Sequence, residues 1–267
     1  MKKKVEINNL EQFSRILRTQ SKREFNSFVF TEVDFSRQDI KGSTFINCDF
    51  VKCNFDKCKL DNIIISECNL RKCNFSASDL PFSKIYSSLF IDCLFDSAHA
   101  YKSEWSYSSF RRCSFRNTYL SESTLDHINI SYSNLVNAKL VGSNIKNIEY
   151  NYATAFFALQ CPEEGSFIGW KKAGDEHKYL VKLLITEDAK RSSATTRKCR
   201  CSKAKVLSIE PIYDSPEVEE IESEYDSEFI YKVGEYVEVN DFDEDRWKEC
   251  STGIHFFLTK QEALNYV

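Results

Sequence analysis

The stretch STFINCDFVKCNFDKCKLDN, residues 43–62, places cysteine at 48, 53 and 58 and a large apolar residue at 45, 50, 55 and 60. A period of five matches neither the 3.6-residue repeat of a helix nor the alternation of a long strand. It matches short extended segments that turn a corner every fifth residue. Working outward from this stretch, nearly every multiple of five from Phe25 to Tyr150 is large and apolar, through Phe30, Phe35, Ile40, Trp105, Leu140 and Ile145. Ala100 is the one small member.

If the large residue is position i, then i−2 lies on the same face, because side chains alternate along an extended segment. Those positions are small or medium, as at Ser43, Cys48, Cys53, Cys68, Cys73, Ser88, Cys93 and Cys113, and are expected to point inward. Position i−1 is often Asp or Asn, as at Asp34, Asp39, Asn54, Asn74 and Asn134, where a short outward polar group can bond nearby backbone. A period of twenty sorts the chemistry further: positions 35, 55, 75, 95 and 115 are all Phe, and Cys53, Cys73, Cys93 and Cys113 share a column. Four sides therefore make one coil.

Residues 23–150 resemble the pentapeptide-repeat family, whose pattern is A(D/N)LXX. The resemblance implies a right-handed quadrilateral β-helix, here of six to seven coils and ~30 Å long at strand spacing. Ile7, Leu10, Phe13, Ile16 and Leu17 form one helical stripe over residues 7–19, with Asn9 as N-cap, suited to covering the open end of the rod. The expected fold is mainly β: a capping helix in residues 1–22, the β-helix in 23–152, and a small α+β domain in 153–267. The cysteines stand where the family has a small inward residue and are expected to pack as weakly polar hydrophobes. Ligands stacked along one wall cannot converge tetrahedrally on a metal, and a ~4.8 Å Cβ spacing is wide for a disulfide. No metal or cofactor is expected.

Eleven cysteines in 267 residues could suggest a secreted disulfide scaffold, but most obey the core period, which favours reduced thiols. The basic start MKKKVEINNLEQF lacks an apolar signal core, and no run of 18 apolar residues occurs, so an intracellular, cytoplasmic protein without a membrane segment is expected. Net charge is −4, yet residues 21–150 hold sixteen basic and fifteen acidic groups. Family members that protect DNA gyrase present a strongly acidic, DNA-like rod, and this balanced one does not resemble them. Around Ala100 the chain reads FDSAHAYKSEWSYSSF, where His99, beside Tyr101, Trp105 and Tyr107, is read as surface packing in preference to a ligand contact.

Beyond Tyr150 the period ends. Tyr179–Ile185, Lys205–Ile209, Phe229–Val239 interrupted by Gly234, and Gly253–Leu258 read as strands, and Thr259 to Glu262 as a capping box opening a last helix. Strings such as SFIGWKK and FDEDRWKECSTGIHFF resemble a domain of unknown function found behind repeats in phage, bacterial and large-virus proteins, which names no reaction.

Three constellations stand out. Cys199, Cys201, Cys250 and His255 offer zinc ligands, but C-x-C lacks the usual C-x2-C knuckle, and buried cysteines are the preferred reading. Cys199 or Cys250 with His255 offers a nucleophile and base beside Arg197, Lys198 and Arg200, with no recognisable orienting residue. Lys190 to Lys205 carries seven basic groups and no acid. Arg191, Arg197, Lys198 and Arg200, with Trp170 and His255, are therefore the candidate binding edge for a phosphate-bearing ligand or nucleic acid, unless they pair internally with the nine acids of Glu210 to Glu228, read as a mobile loop.

The resulting expectation is a non-enzymatic interaction or scaffold protein whose rod presents a C-terminal module to a protein partner. The alternatives are an enzyme using Cys199, Cys250 and His255, and a topoisomerase-protecting DNA mimic.

Overall fold

Twenty residues bring the chain back to the same wall. In the computed structural model, which describes residues 4–19, 22–212, 214–224 and 226–266, Phe25, Phe45, Ile65, Ile85, Trp105, Leu125 and Ile145 are successive partners in a seven-stranded parallel sheet. Phe30, Phe50, Leu70, Phe90 and Phe110 run along a second, six-stranded parallel sheet. Single bridges hold the other two walls, one through Asp34, Asn54, Asn74, Leu94, Ser114 and Asn134, the other through Asp39, Lys59, Asp79, His99, Tyr119 and Lys139. The result is a β-solenoid of about seven turns.

Its interior follows the pattern of large and small residues. Phe35, Phe55, Phe75, Phe95 and Phe115 stack with successive centroids 4.8, 4.6, 4.9 and 5.1 Å apart, close to the ~4.8 Å between paired strands. From Ser43 to Ala138 the i−2 side chains are buried, and they do more than fill space. Cys53, Cys73, Cys93 and Cys113 each direct the thiol at the carbonyl of the residue 23 positions earlier, Cys53 to Phe30 at 3.4 Å and Cys93 to Leu70 at 3.5 Å. Ser123, Ser133 and Thr118 make the same bond with a hydroxyl, which explains why Cys, Ser and Thr interchange at this position. Burial next to the Asp39 charge pushes the Cys58 thiol up to about 12.

Every fifth residue from Ser27 to Asn147 forms the corner and has positive φ, although only Gly42 and Gly142 among them are glycine. Each non-glycine corner costs on the order of 1 kcal/mol. The corner N–H groups recover hydrogen bonds to the next coil, as from Arg37 to Asp56 and from Lys57 to Ser76. The Asp or Asn at i−1 braces the turn: Asp34 accepts from the Ser36 N–H, Asn54 from that of Asp56, and Asn74 from that of Ser76. Trp105 fills its inward position, 1% exposed, and donates its indole N–H to Ser83 Oγ at 3.0 Å. It follows Ala100 in the same coil, so the smallest and largest interior side chains share one cross-section.

The start of the solenoid is covered in two steps. Val5–Ile7 is a strand paired with Phe28–Phe30, so Ile7 belongs to the first wall and not to the helix. The helix runs Leu10–Thr19, with Asn9 Oδ1 accepting from the Gln12 N–H at 3.0 Å, and buries Phe13 against Phe25 at 4.9 Å. At the other end, Asn134 bridges Ala155 instead of residue 154, a one-residue slip that ends the register.

The chain divides into two compact units, Met1–Ala158 and Leu159–Val267. The second has a four-stranded antiparallel sheet in the order Phe167–Ala173, Tyr179–Ile185, Lys203–Pro211, Tyr236–Glu238, and a three-stranded one in the order Arg191–Ser193, Cys199–Cys201, Ile254–Phe256. Val181, Leu183, Cys199, Cys201, Val206 and Phe256 are in its core. Part of the acidic segment, expected as a mobile loop, is paired strand. Glu220–Ser223 pairs with Asp226–Lys232, Ile221 and Tyr231 pack on the core, and the Gly174 N–H donates to the Glu222 carbonyl. The last helix, Lys260–Asn265, opens with the capping box of Thr259 and Glu262. Among the described residues, no helix is long and apolar enough to cross a membrane.

Candidate functional site

Strand alternation decides which of the chemical groups in the second unit can meet. Cys199 and Cys201 point into the core, both with no measurable exposure, while Arg200 between them points the other way. In the antiparallel register Arg200 lies opposite His255, and Cys199 opposite Phe256. His255 therefore shares a face with Arg200 and not with Cys199. The thiol of Cys199 is raised by a hydrogen bond with Cys161 and by burial, and burial pushes Cys201 up to about 12. The same alternation separates Cys199 and Cys201 from His255 as metal ligands. Among the described residues, no group of three or more His, Cys, Asp or Glu converges on one point.

Two of the four candidate basic residues hold backbone. Arg191 donates to the carbonyls of Pro162 and Gly165 at 3.0 Å and Thr186 at 2.8 Å. Arg200 is 2% exposed and donates to the carbonyls of Asp243 (3.1 Å), Thr252 (2.5 Å) and Asp245 (3.1 Å), with its guanidinium over Phe242. Burial lowers its pKa against the opposing charges of Asp243 and Asp245. It fastens the segment before the last strand and presents no charge to a ligand. The acids these cations meet also lie outside the acidic hairpin: Arg197 Nε is 2.7 Å from Glu262, Lys203 is 2.8 Å from Asp188, and Lys190 pairs with Glu244.

The remaining candidates gather near the last helix. Lys198 Nζ lies 2.9 Å from the Tyr266 hydroxyl and 3.6 Å from the sulfur of Cys250, the one exposed cysteine. His255 Nε2 donates to the Glu249 carbonyl at 3.1 Å, and burial, reinforced by Lys198, brings its pKa down to about 4, so the ring is neutral at neutral pH. Trp170 exchanges backbone bonds with Phe257 and has Lys182 and Lys260 over its ring at 5.5 and 5.7 Å. Lys172 bonds the Tyr266 carbonyl. Lys172, Lys182, Lys198 and Lys260 thus surround two aromatic residues, with Glu210 on Lys260 at 2.6 Å. Sequence reasoning named Trp170 and Lys198 but missed Lys182, Lys260 and Tyr266. The available signal was Lys182 as the single charge in the strand YLVKLLI.

Residues 29–66 and 108–147 match the pentapeptide-repeat family, in eight copies. The first unit is built of pentapeptide repeats. Residues 157–263 match a family of unknown function (DUF5758). No curated protein matched the chain. Solved structures similar to the pentapeptide-repeat unit include Rfr23 from the cyanobacterium Cyanothece 51142, at 14% identity over 54% of this chain and 97% of that one, TM-score 0.30. QnrB1, a plasmid-mediated fluoroquinolone resistance protein, is 16% identical over 57% of this chain and 93% of its own, TM-score 0.24. HetL from Nostoc sp. strain PCC 7120, involved in heterocyst differentiation regulation, is 13% identical over 53% and 94%, TM-score 0.17. Scores this low carry nothing about function.

Proposed function

We propose that this is a non-enzymatic interaction protein, in which the pentapeptide-repeat rod carries a C-terminal module whose lysine-rimmed face around Trp170 and Tyr266 contacts an acidic partner. One observation carries the reading: Cys199 and His255 lie on opposite faces of their sheet, whereas the cations near the last helix rest on aromatic rings at the surface. Aromatic residues flanked by cations are a common recognition surface. The polarity argues for a protein or nucleic acid bearing carboxylates or phosphates.

The test compares wild-type protein with Lys182→Glu/Lys260→Glu on a heparin column at two salt concentrations. Wild type should be retained at low salt and released as salt rises, because its contacts displace counterions. The variant should elute early while melting at the wild-type temperature. An unretained wild type, or a variant eluting with it, would contradict the reading.

A thiol enzyme is the second reading, and the 3.6 Å between Lys198 Nζ and Cys250 is the observation that favours it. Exposure alone will make Cys250 react with iodoacetamide. The informative comparison is with Lys198→Met. A rate within threefold of wild type fits a passive thiol, and a drop beyond tenfold would support an activated one.

DNA mimicry fits the rod poorly. Its charges pair between coils with opposite sign, Lys52 with Glu32 at 2.7 Å, Arg112 with Asp92 at 2.7 Å, and Lys84 with Glu104 and Lys102 with Glu122 at 3.4 Å.

A further inference from the structure

One place on the rod departs from this neutral pairing. The wall bridged through Asp79, His99 and Tyr119 carries two parallel columns of outward side chains, the residues just before and just after each inward one. In the second column Pro81 and Ser121 are short and Tyr101 between them is long. An open cleft of ≈ 460 Å³ results, bounded by Asp61 and Asp79, floored by Pro81 and Ser121, and walled by His99, Tyr101 and Tyr119. That volume is within the ~300–1,000 Å³ typical of ligand sites.

The walls are braced and still accessible. Tyr101 is 43% exposed with its ring against Phe82 at 5.6 Å, and Tyr119 is 46% exposed against His99 at 5.1 Å. Asp79 Oδ1 lies 3.0 Å from His99 Nδ1, which holds the imidazole in place. No lysine or arginine lines the cleft. The cations at its margins are engaged elsewhere, Lys41 with Asp39 at 3.7 Å and Lys102 with Glu122 at 3.4 Å, while Lys59 stands one coil beyond Asp79. Two carboxylates thus share the cleft with two tyrosines, with His99 on one of them and no lysine or arginine in the lining.

We propose that this cleft is a docking site for an arginine side chain of a peptide partner. A guanidinium is flat enough to stack on tyrosine faces and carries the donor fork that matches a carboxylate. All of its lining residues belong to the first unit.

Fluorescence anisotropy of the full chain with a fluorescein-labelled Gly-Ser-Arg-Gly-Ser peptide tests this. The same peptide with citrulline keeps the shape and removes the charge, and a lysine version keeps the charge and removes the plane. The arginine peptide should bind at least tenfold tighter than citrulline and severalfold tighter than lysine. Asp61→Asn/Asp79→Asn and Tyr101→Ala/Tyr119→Ala should each weaken it at least fivefold, and Tyr132→Ala, an exposed tyrosine elsewhere on the rod, should not. Should a double variant melt early, Asp61→Asn alone, at a side chain that braces nothing, should still weaken binding at least twofold. Equal binding of the arginine and citrulline peptides, affinity unmoved by the cleft variants, or no binding at millimolar concentration would overturn the proposal. Equal binding of lysine would overturn the assignment to arginine.

Discussion

Ala100 and Trp105 show how strictly the coil conserves its cross-section. In neighbouring coils the same two positions hold Leu80 with Ile85 and Leu120 with Leu125, all buried. Ala100→Leu should overfill the coil and Trp105→Leu should leave a void, each costing about 1–3 kcal/mol. The double variant restores the arrangement of its neighbours, so its loss should fall clearly below the sum of the singles in denaturant melts. An additive double variant would mean that the two side chains do not share the space. The corner residues behave differently. The positive φ at Lys57, Lys72 or Arg112 left no trace in composition, because hydrogen bonds to the next coil hold it and glycine is not required.

At the scale of elements, short strands and a helix are held by particular polar bonds. Asn9 caps the first helix, and Asn9→Ala should cost about 1 kcal/mol in thermal melts. In the strand Ile254–Phe256, the half-buried His255 has a folded pKa of about 4, below its ordinary 6.5. As pH falls, the unfolded chain takes up the proton first, so this stabilising contribution is present above pH 6.5 and is lost as pH falls from 6.5 to 4. It amounts to roughly 3 kcal/mol. His255→Gln should flatten the stability profile across that window, and an unchanged slope would refute the assignment.

The elements also show what the sequence made legible. Tyr179–Ile185 and the capping box at Thr259 were readable because apolar pattern and cap chemistry are local. Ile7 was misread, because a residue can satisfy a helical stripe on paper and still be drawn into a strand by the open edge at Phe28–Phe30. The second strand of the acidic hairpin was legible from Phe229 onward, but the first, Glu220–Ser223, was missed because its charges hid the inward Ile221. The candidate edge was legible only in part, since Arg191 and Arg200 are spent on carbonyls supplied by distant loops.

For the whole molecule, the cysteines turn from an apparent chemical resource into a structural one. Ten of the eleven are buried, seven in the solenoid interior and three in the second unit, leaving Cys250 exposed. If the ladder is a row of interior donors and Cys199 is no nucleophile, the surface must carry the function. Timed thiol titration with Ellman's reagent, followed by mapping of the labelled peptide, tests this most directly. The native protein should release one equivalent quickly, all of it from Cys250, and the remaining ten only on unfolding. Fast release of two or more equivalents from the folded protein, or fast labelling of Cys199 or any cysteine of the ladder, would contradict the account.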